Sequence, residues 1–229
     1  MVPTMEIVLV RHAQPEWIRD GLNVVDPPLT ELGRQQAVQL AAALAEEDFD
    51  EILVSPLRRA RETAAPLLEV LGRDEVIAPW LREIGDPDWH GQPAELAQRA
   101  YEELRTRPSH ERWHGLEGGE TVREFSERIH LGLDEFLAER GISHGGHELP
   151  LWQVSDPGAR IALIAHAGTN SMTIGRLLGY PVTPWEWERI VLMHASVSRV
   201  EAVPSGTDHL FSLTRLSDVE HLDRDLRTR

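Results

Sequence analysis

Two histidines in this chain each follow a short apolar run. Residues 7–10, "IVLV", lead directly into Arg11 and His12, and "RIALIA" leads into His166 and then "AGTN". A third apolar run, "EILV", is followed by "SPLRRARETA", which brings Arg58, Arg59 and Arg61. Continuous apolar runs of this length read as strands buried on both faces. In parallel sheets ligands bind beyond the carboxyl ends of the strands. The chemistry gathered there is two imidazoles and several guanidinium groups, with no acidic residue immediately after any of the three runs. Helix N-termini meet the same edge and add partial positive charge. A compact oxyanion, phosphate above all, suits such a pocket.

Histidine beside cations is held neutral near pH 7. A neutral imidazole can attack phosphorus and carry the phosphoryl group covalently. Arginines would then stabilise the charge on the equatorial oxygens. The leaving alcohol needs a proton. Glu83, in "WLREIGDPDWHG", is a candidate donor, though its position alone does not separate it from Asp86, Glu111, Glu117 or Glu120.

The elements that must position these groups follow from the pattern. Strands are expected at 5–10, 51–55 and 160–166. Between the first two, Thr30 suits a helix N-cap, with an apolar face at Ala37, Leu40, Ala41 and Leu44. After the second, Ser55 suits an N-cap, Pro56 the first helical position and Gly72 the stop. A third helix is expected after His166, ending near Gly179. Thr121 and Glu124 form a capping-box pair, and a second such start falls at Thr183, Pro184 and Glu186. Residues 196–203 and 209–216 read as a hairpin across "PSGTD". The alternation predicts an α/β fold: a three-layer α/β/α sandwich on a mostly parallel sheet with one antiparallel strand. One domain spans 1–229, with a largely helical insertion over about 85–158 after the acid-bearing segment. The glycine- and proline-rich stretch 141–160 reads as a surface loop.

Composition narrows the partners. The 229 residues carry a formal net charge of -15, which argues against nucleic acid or an anionic membrane. All 23 basic residues are arginine, so an anion site must use arginine, histidine or backbone N–H groups. The absence of cysteine excludes disulfides and thiolate chemistry. No run is long enough to span a bilayer, and the first apolar run is too short for a signal peptide, so a cytoplasmic protein is expected. His144 and His147 stand near metal-ligand spacing, but without a supporting carboxylate cluster a flexible loop is expected there and no metal. Trp89, Trp113, Trp185 and Trp187 are candidates to line a pocket for an apolar or sugar-bearing substrate.

Several segments, in order, resemble the histidine phosphatase superfamily, also called the phosphoglycerate mutase-like family. "VRHAQPEW" is similar to its signature, "PLTELGRQQA" to its first helix and "SPLRRARETA" to the segment of its second arginine. "LREIGDPDWHG", "GGETVREFSERI", "IAHAGTN" and "LSDVEHL" resemble its later motifs. The resemblance implies that His12 becomes a phosphohistidine, that Arg11, Arg58 and His166 clamp the phosphoryl group, and that Glu83 protonates the leaving group. It implies no metal and no other cofactor. Ala13 and Ala167 stand where the family usually has glycine, Pro15 where it often has threonine or serine, and Ile18 where it often has asparagine. Pro15 and Ile18 remove polar groups, leaving Gln14 as the polar neighbour of the phosphate.

Three functions follow as expectations. The first is a metal-independent phosphatase of a small phosphorylated metabolite. The second is a bisphosphate-dependent phosphoglycerate mutase, which would draw further cations from Arg82, Arg99, Arg105, Arg107 or Arg112. The third is a non-catalytic phospho-ligand binding module. A homodimer is expected from the resemblance only.

Overall fold

The computed structural model describes residues 4–146, 148–155 and 157–229. In chain order the elements are β1 (Glu6–Arg11), a two-strand ribbon of β2 (Ile18–Arg19) and β3 (Leu22–Asn23), α1 (Glu31–Leu44), β4 (Glu51–Val54), α2 (Arg58–Leu71) and β5 (Val76–Ile77). A 3-10 turn, Pro79–Leu81, leads into α3 (Ala94–Thr106). A second 3-10 turn, Glu111–His114, precedes α4 (Val122–Ala138), β6 (Ile142–His144) and β7 (Trp152–Val154). The chain closes with β8 (Arg160–Ala165), α5 (Ala167–Leu177), α6 (Glu186–Arg189), β9 (Val197–Ser205) and β10 (Asp208–Asp218).

Eight strands form one sheet in the order β5-β4-β8-β1-β9-β10-β7-β6. The half carrying β5, β4, β8 and β1 is parallel. Beyond β1 every pairing is antiparallel. The α/β class is as expected from the sequence, while the antiparallel part is longer than the single strand expected. The reason lies in residues 141–160, expected as a loop. Residues 142–144 and 152–154 pair with each other and β7 joins β10. Trp152 anchors this edge: it is buried, and its indole N–H donates to the Leu177 carbonyl at 3.2 Å. His144 lies against the same ring, 3.9 Å between centroids; His147 lies outside the described residues.

Strand alternation divides the core in two. Met5, Ile7 and Leu9 face α4 and α5, through Leu133, Leu137, Ile174 and Leu177. Val8 and Val10 face α1 and α2, through Ala37, Leu40, Ala64 and Leu67. With both faces of β1 covered, the side chains of Ile7, Val8, Leu9 and Val10 lose essentially all their water, worth roughly 1.5–3 kcal/mol apiece. Three layers result. Among the described residues no helix is long and apolar enough to cross a membrane.

Helix termini follow the sequence closely. Thr30 caps α1 by accepting from the Gly33 N–H at 2.9 Å. Thr121 and Glu124 form the reciprocal box at α4. Gly72 ends α2 in the left-handed conformation, φ 62°. The start at Thr183 is only half realised: its hydroxyl donates to Glu186, but α6 begins after Trp185.

The loop after β1 is pinned to α1. Gln14 accepts from the Thr30 N–H at 3.0 Å, and its own N–H donates to Gln36 at 2.8 Å. A Cβ on Gly33 would lie 2.2 Å from the Gln14 carbonyl oxygen, so only glycine lets α1 approach this closely. Gly33→Ala is expected to lower stability by about 2–4 kcal/mol, read from denaturant midpoints, and to reduce any activity that depends on His12.

Candidate active site

Arg11 and His12 stand at the carboxyl end of β1 and His166 at that of the adjacent β8, with the His12 N–H donating to the Ala165 carbonyl at 2.9 Å. The His12 and His166 ring centroids are 5.1 Å apart. The parallel register of β1 and β8 is therefore what brings together two residues 154 positions apart in sequence.

Each imidazole has one nitrogen committed. His12 Nδ1 donates to the Ala13 carbonyl at 2.8 Å, which leaves Nε2 with its lone pair. Ser55 Oγ accepts from the Leu57 N–H at 3.4 Å and lies 2.6 Å from His166 Nε2. His166 Nδ1 is a buried atom without a partner among the described residues. Ser55 is thus not the N-cap of α2, as expected; it orients His166, and Leu57 takes the cap position. His12 is 3 % exposed and His166 fully buried. Burial first, then the charge of Arg59, holds both well below the ordinary histidine pKa.

Arg59, not Arg58, brings the second guanidinium. The apolar stripe of α2 is Ala60, Thr63, Ala64, Leu67 and Leu68, and Arg59 falls on it, 4 % exposed. Arg58 points to solvent and donates to Glu62, one turn on, at 2.6 Å. One residue is 100° of helix, so the two neighbours face different media. The guanidinium of Arg59 lies 4.7 Å from the centre of the Trp17 ring, and its closest carboxylate is Asp26 at 3.9 Å. Arg61 is also on the surface, paired with Glu75. The stripe was readable in the sequence and points to Arg59.

Arg11 is held by a residue that the sequence reading missed. One guanidinium N–H donates to the Leu192 carbonyl, and another meets His194 Nε2 at 3.0 Å. Burial and the adjacent Arg11 charge push His194 down to about 3, so it accepts as a neutral ring. Its Nδ1 lies 3.0 Å from Thr228 Oγ1. Burial lowers Arg11 to about 10, against the opposing pull of Glu83, which leaves it charged at neutral pH. No sequence signal marks a lone histidine before a strand as an arginine's partner.

Glu83 sits across the site, half-buried. Its Oε2 accepts from the Gly168 N–H in the first turn of α5 at 2.8 Å, and its Oε1 from the Ile84 N–H at 3.0 Å. Burial raises its pKa in spite of these bonds and of Arg59 and Arg11. A Cβ on Gly168 would meet Glu83 Oε1 at 2.5 Å, so the contact requires glycine. Arg128 of α4 straps the segment down, donating to the carbonyls of Trp80, Arg82 and Glu83 and pairing with both oxygens of Glu120. Glu120, a rival for the acid, is therefore structural. Gln14 turns its Oε1 to the Thr30 hydroxyl at 2.8 Å, leaving Nε2 as its available donor. Among the described residues no group of three or more histidines and carboxylates is placed to hold a metal ion.

These positions build an anion site in which a neutral imidazole with a free lone pair, a second neutral imidazole and two guanidinium groups lie together beside a carboxyl group. The sequence pattern of the histidine phosphatase superfamily (branch 1) matches residues 7–211, and the chain belongs to that superfamily. A relative from Escherichia fergusonii, named "Probable phosphoglycerate mutase GpmB", is 29% identical over 227 residues, covering 96% of this chain and 95% of its own. A mycobacterial glucosyl-3-phosphoglycerate phosphatase in complex with inorganic phosphate superposes with a TM-score of 0.69 at 25% identity, over 95% of this chain and 99% of its own. The α-ribazole phosphatase of Shigella flexneri superposes at 0.70 with 24% identity, over 93% and 96%.

Two expected outcomes separate the arginines and their support. Arg59→Ala weakens inorganic phosphate binding by about 30-fold or more, whereas Arg58→Ala stays within about twofold, by calorimetry. His194→Ala weakens phosphate binding about tenfold by freeing Arg11, and His194→Gln, which keeps an acceptor, recovers most of it.

Proposed function

We propose that this protein hydrolyses a small phosphomonoester through a phosphohistidine on His12. The observation that carries this reading is the state of His12: its Nδ1–H is tied to Ala13, and burial with Arg59 keeps the ring neutral, so the Nε2 lone pair is available. The Nε2 lone pair forms the N–P bond as the bond from phosphorus to the ester oxygen breaks. The electron pair goes to that oxygen, which takes a proton from Glu83. Water then attacks phosphorus and gives a proton to the Glu83 carboxylate. The N–P bond breaks, its electrons return to Nε2, and phosphate leaves. Arg11, Arg59 and the His166 Nδ1–H carry the charge on the equatorial oxygens. This cationic set fills the role a metal ion plays in other phosphoryl-transfer sites, so the reading requires none.

Hydrolysis is favoured over mutase chemistry by how the insertion's arginines are used. Arg112 pairs with Glu188, Arg82 lies 3.8 Å from Glu120, and Arg107 donates to the Gly115 carbonyl at 3.0 Å. Arg99 donates to the Glu95 carbonyl of its own helix, and Arg105 is exposed in the last turn of α3. A bisphosphate or a phosphoglycerate carboxylate needs a second cationic cluster. The phosphate complex of the 25%-identical mycobacterial phosphatase supports phosphate as the occupant of the first.

The pH dependence follows from the two shifts. Phosphorylation needs His12 unprotonated and Glu83 protonated. At the ordinary values of 6.5 and 4.5 those two states barely coexist. Burial lowers the first and raises the second, and both shifts increase the share of the productive form. We expect kcat/KM, corrected for substrate ionisation, to fall as pH drops through the lowered pKa of His12 and as it rises through the raised pKa of Glu83. Glu83→Gln is expected to abolish the alkaline limb and to slow alkyl phosphates more than 4-nitrophenyl phosphate, by about 10²–10⁴ against much less. His12→Ala is expected to lose at least about 10³ in rate and the acid-labile phosphoenzyme. Turnover by His12→Ala at the wild-type rate would overturn the reading.

A further inference from the structure

Beside the phosphate position lies a second group of side chains that the chemistry above leaves unused. Asp86 follows Glu83 by three residues, and its Oδ1 accepts from the Tyr101 hydroxyl of α3. Its Oδ2 bonds to no described residue. Both groups lie close enough to Arg59 for the charges to be felt, and Tyr101 also feels the charge of Glu83. Tyr101 is 37% exposed and packs against the edge of Trp89, 5.9 Å between centroids. Trp17, 43% exposed, covers Arg59 from the neighbouring loop. The position is fixed from two sides. Asn23 of β3 donates to the Gln92 and Pro93 carbonyls at 3.1 and 2.9 Å and ties α3 to the ribbon. On the other side Gly85 donates to Glu120 at 2.9 Å.

We propose that Asp86, held by Tyr101 and flanked by Trp17 and Trp89, is the leaving-group subsite, and that it selects phosphate esters of uncharged polyhydroxylated alcohols over esters that carry a second anion. This rests on the phosphatase reading and names its substrate class. A carboxylate oxygen with no donor accepts hydrogen bonds from hydroxyl groups. The aromatic rings offer apolar faces to the C–H side of a sugar-like alcohol. The same carboxylate repels a carboxylate or second phosphate on the leaving group. Rejection by a fixed like charge is as much a part of specificity as attraction.

The test uses a matched pair of esters, glycerol 3-phosphate and 3-phosphoglycerate, which differ by a hydroxymethyl group against a carboxylate. Wild-type protein should favour glycerol 3-phosphate in kcat/KM by at least about tenfold, and Asp86→Asn should shrink that ratio by about tenfold. Tyr101→Phe, which releases the carboxylate, should move the ratio the same way by a smaller factor and serves if Asp86→Asn does not fold. Equal or better use of 3-phosphoglycerate by the wild type overturns the proposal, and so does a ratio that a folded Asp86→Asn leaves unmoved; in both cases the phosphatase reading stands if 4-nitrophenyl phosphate is still hydrolysed in a His12-dependent way. Failure of the wild type to hydrolyse 4-nitrophenyl phosphate removes that reading and this proposal together.

Discussion

The constraint on which the rest depends is the burial of positive charge without a matching carboxylate. Arg59 is almost wholly removed from water, with Asp26 no closer than 3.9 Å and the face of Trp17 as its other neighbour. Arg11 is satisfied by a carbonyl and a neutral imidazole rather than by an acid. Buried charge of this kind costs several kcal/mol per ion unless it is compensated. The Nε atoms of Arg11 and Arg59 and the Nδ1 of His166 are all buried without a partner among the described residues. Buried guanidinium N–H groups left in this way are compensated by an anion. The same field sets the protonation of everything near it. Together with burial, which is the larger cause, it keeps both imidazoles neutral.

The scaffold holds these charges where they would not gather by themselves. The parallel register of β1 and β8 fixes His12 against His166. Core clusters on both faces of the sheet leave the strands little room to shift. Two glycines carry close approaches: Gly33 seats α1 on the loop after His12, and Gly168 lets the acid reach the first turn of α5. In each case a side chain's worth of space is the difference between contact and collision.

The acid and the candidate leaving-group subsite belong to one strapped segment. Residues 80–85 are fastened to α4 by Arg128 and Glu120. Asp86 continues this segment and meets α3 through Tyr101. Glu83 and Asp86 are thereby held by a common frame, so a change in the insertion that moves one is positioned to move the other.

Much of this was legible in the amino-acid order. Apolar runs ending in Arg11, His12 and His166 identified the strands and the edge where chemistry gathers, because buried strands must be apolar and polar residues at their ends must face a ligand or solvent. Thr30, Thr121 and Gly72 marked helix ends through local hydrogen bonding and backbone preference, which act within a few residues. Even the choice of Arg59 over Arg58 was present in the helical stripe. What the tertiary structure alone decided is contact between distant parts. Ser55 orients His166, His194 and Thr228 hold Arg11, and residues 142–144 and 152–154 form strands because they pair with each other and β10 offers β7 a partner. These depend on which surfaces meet after folding, and local pattern carries no record of that.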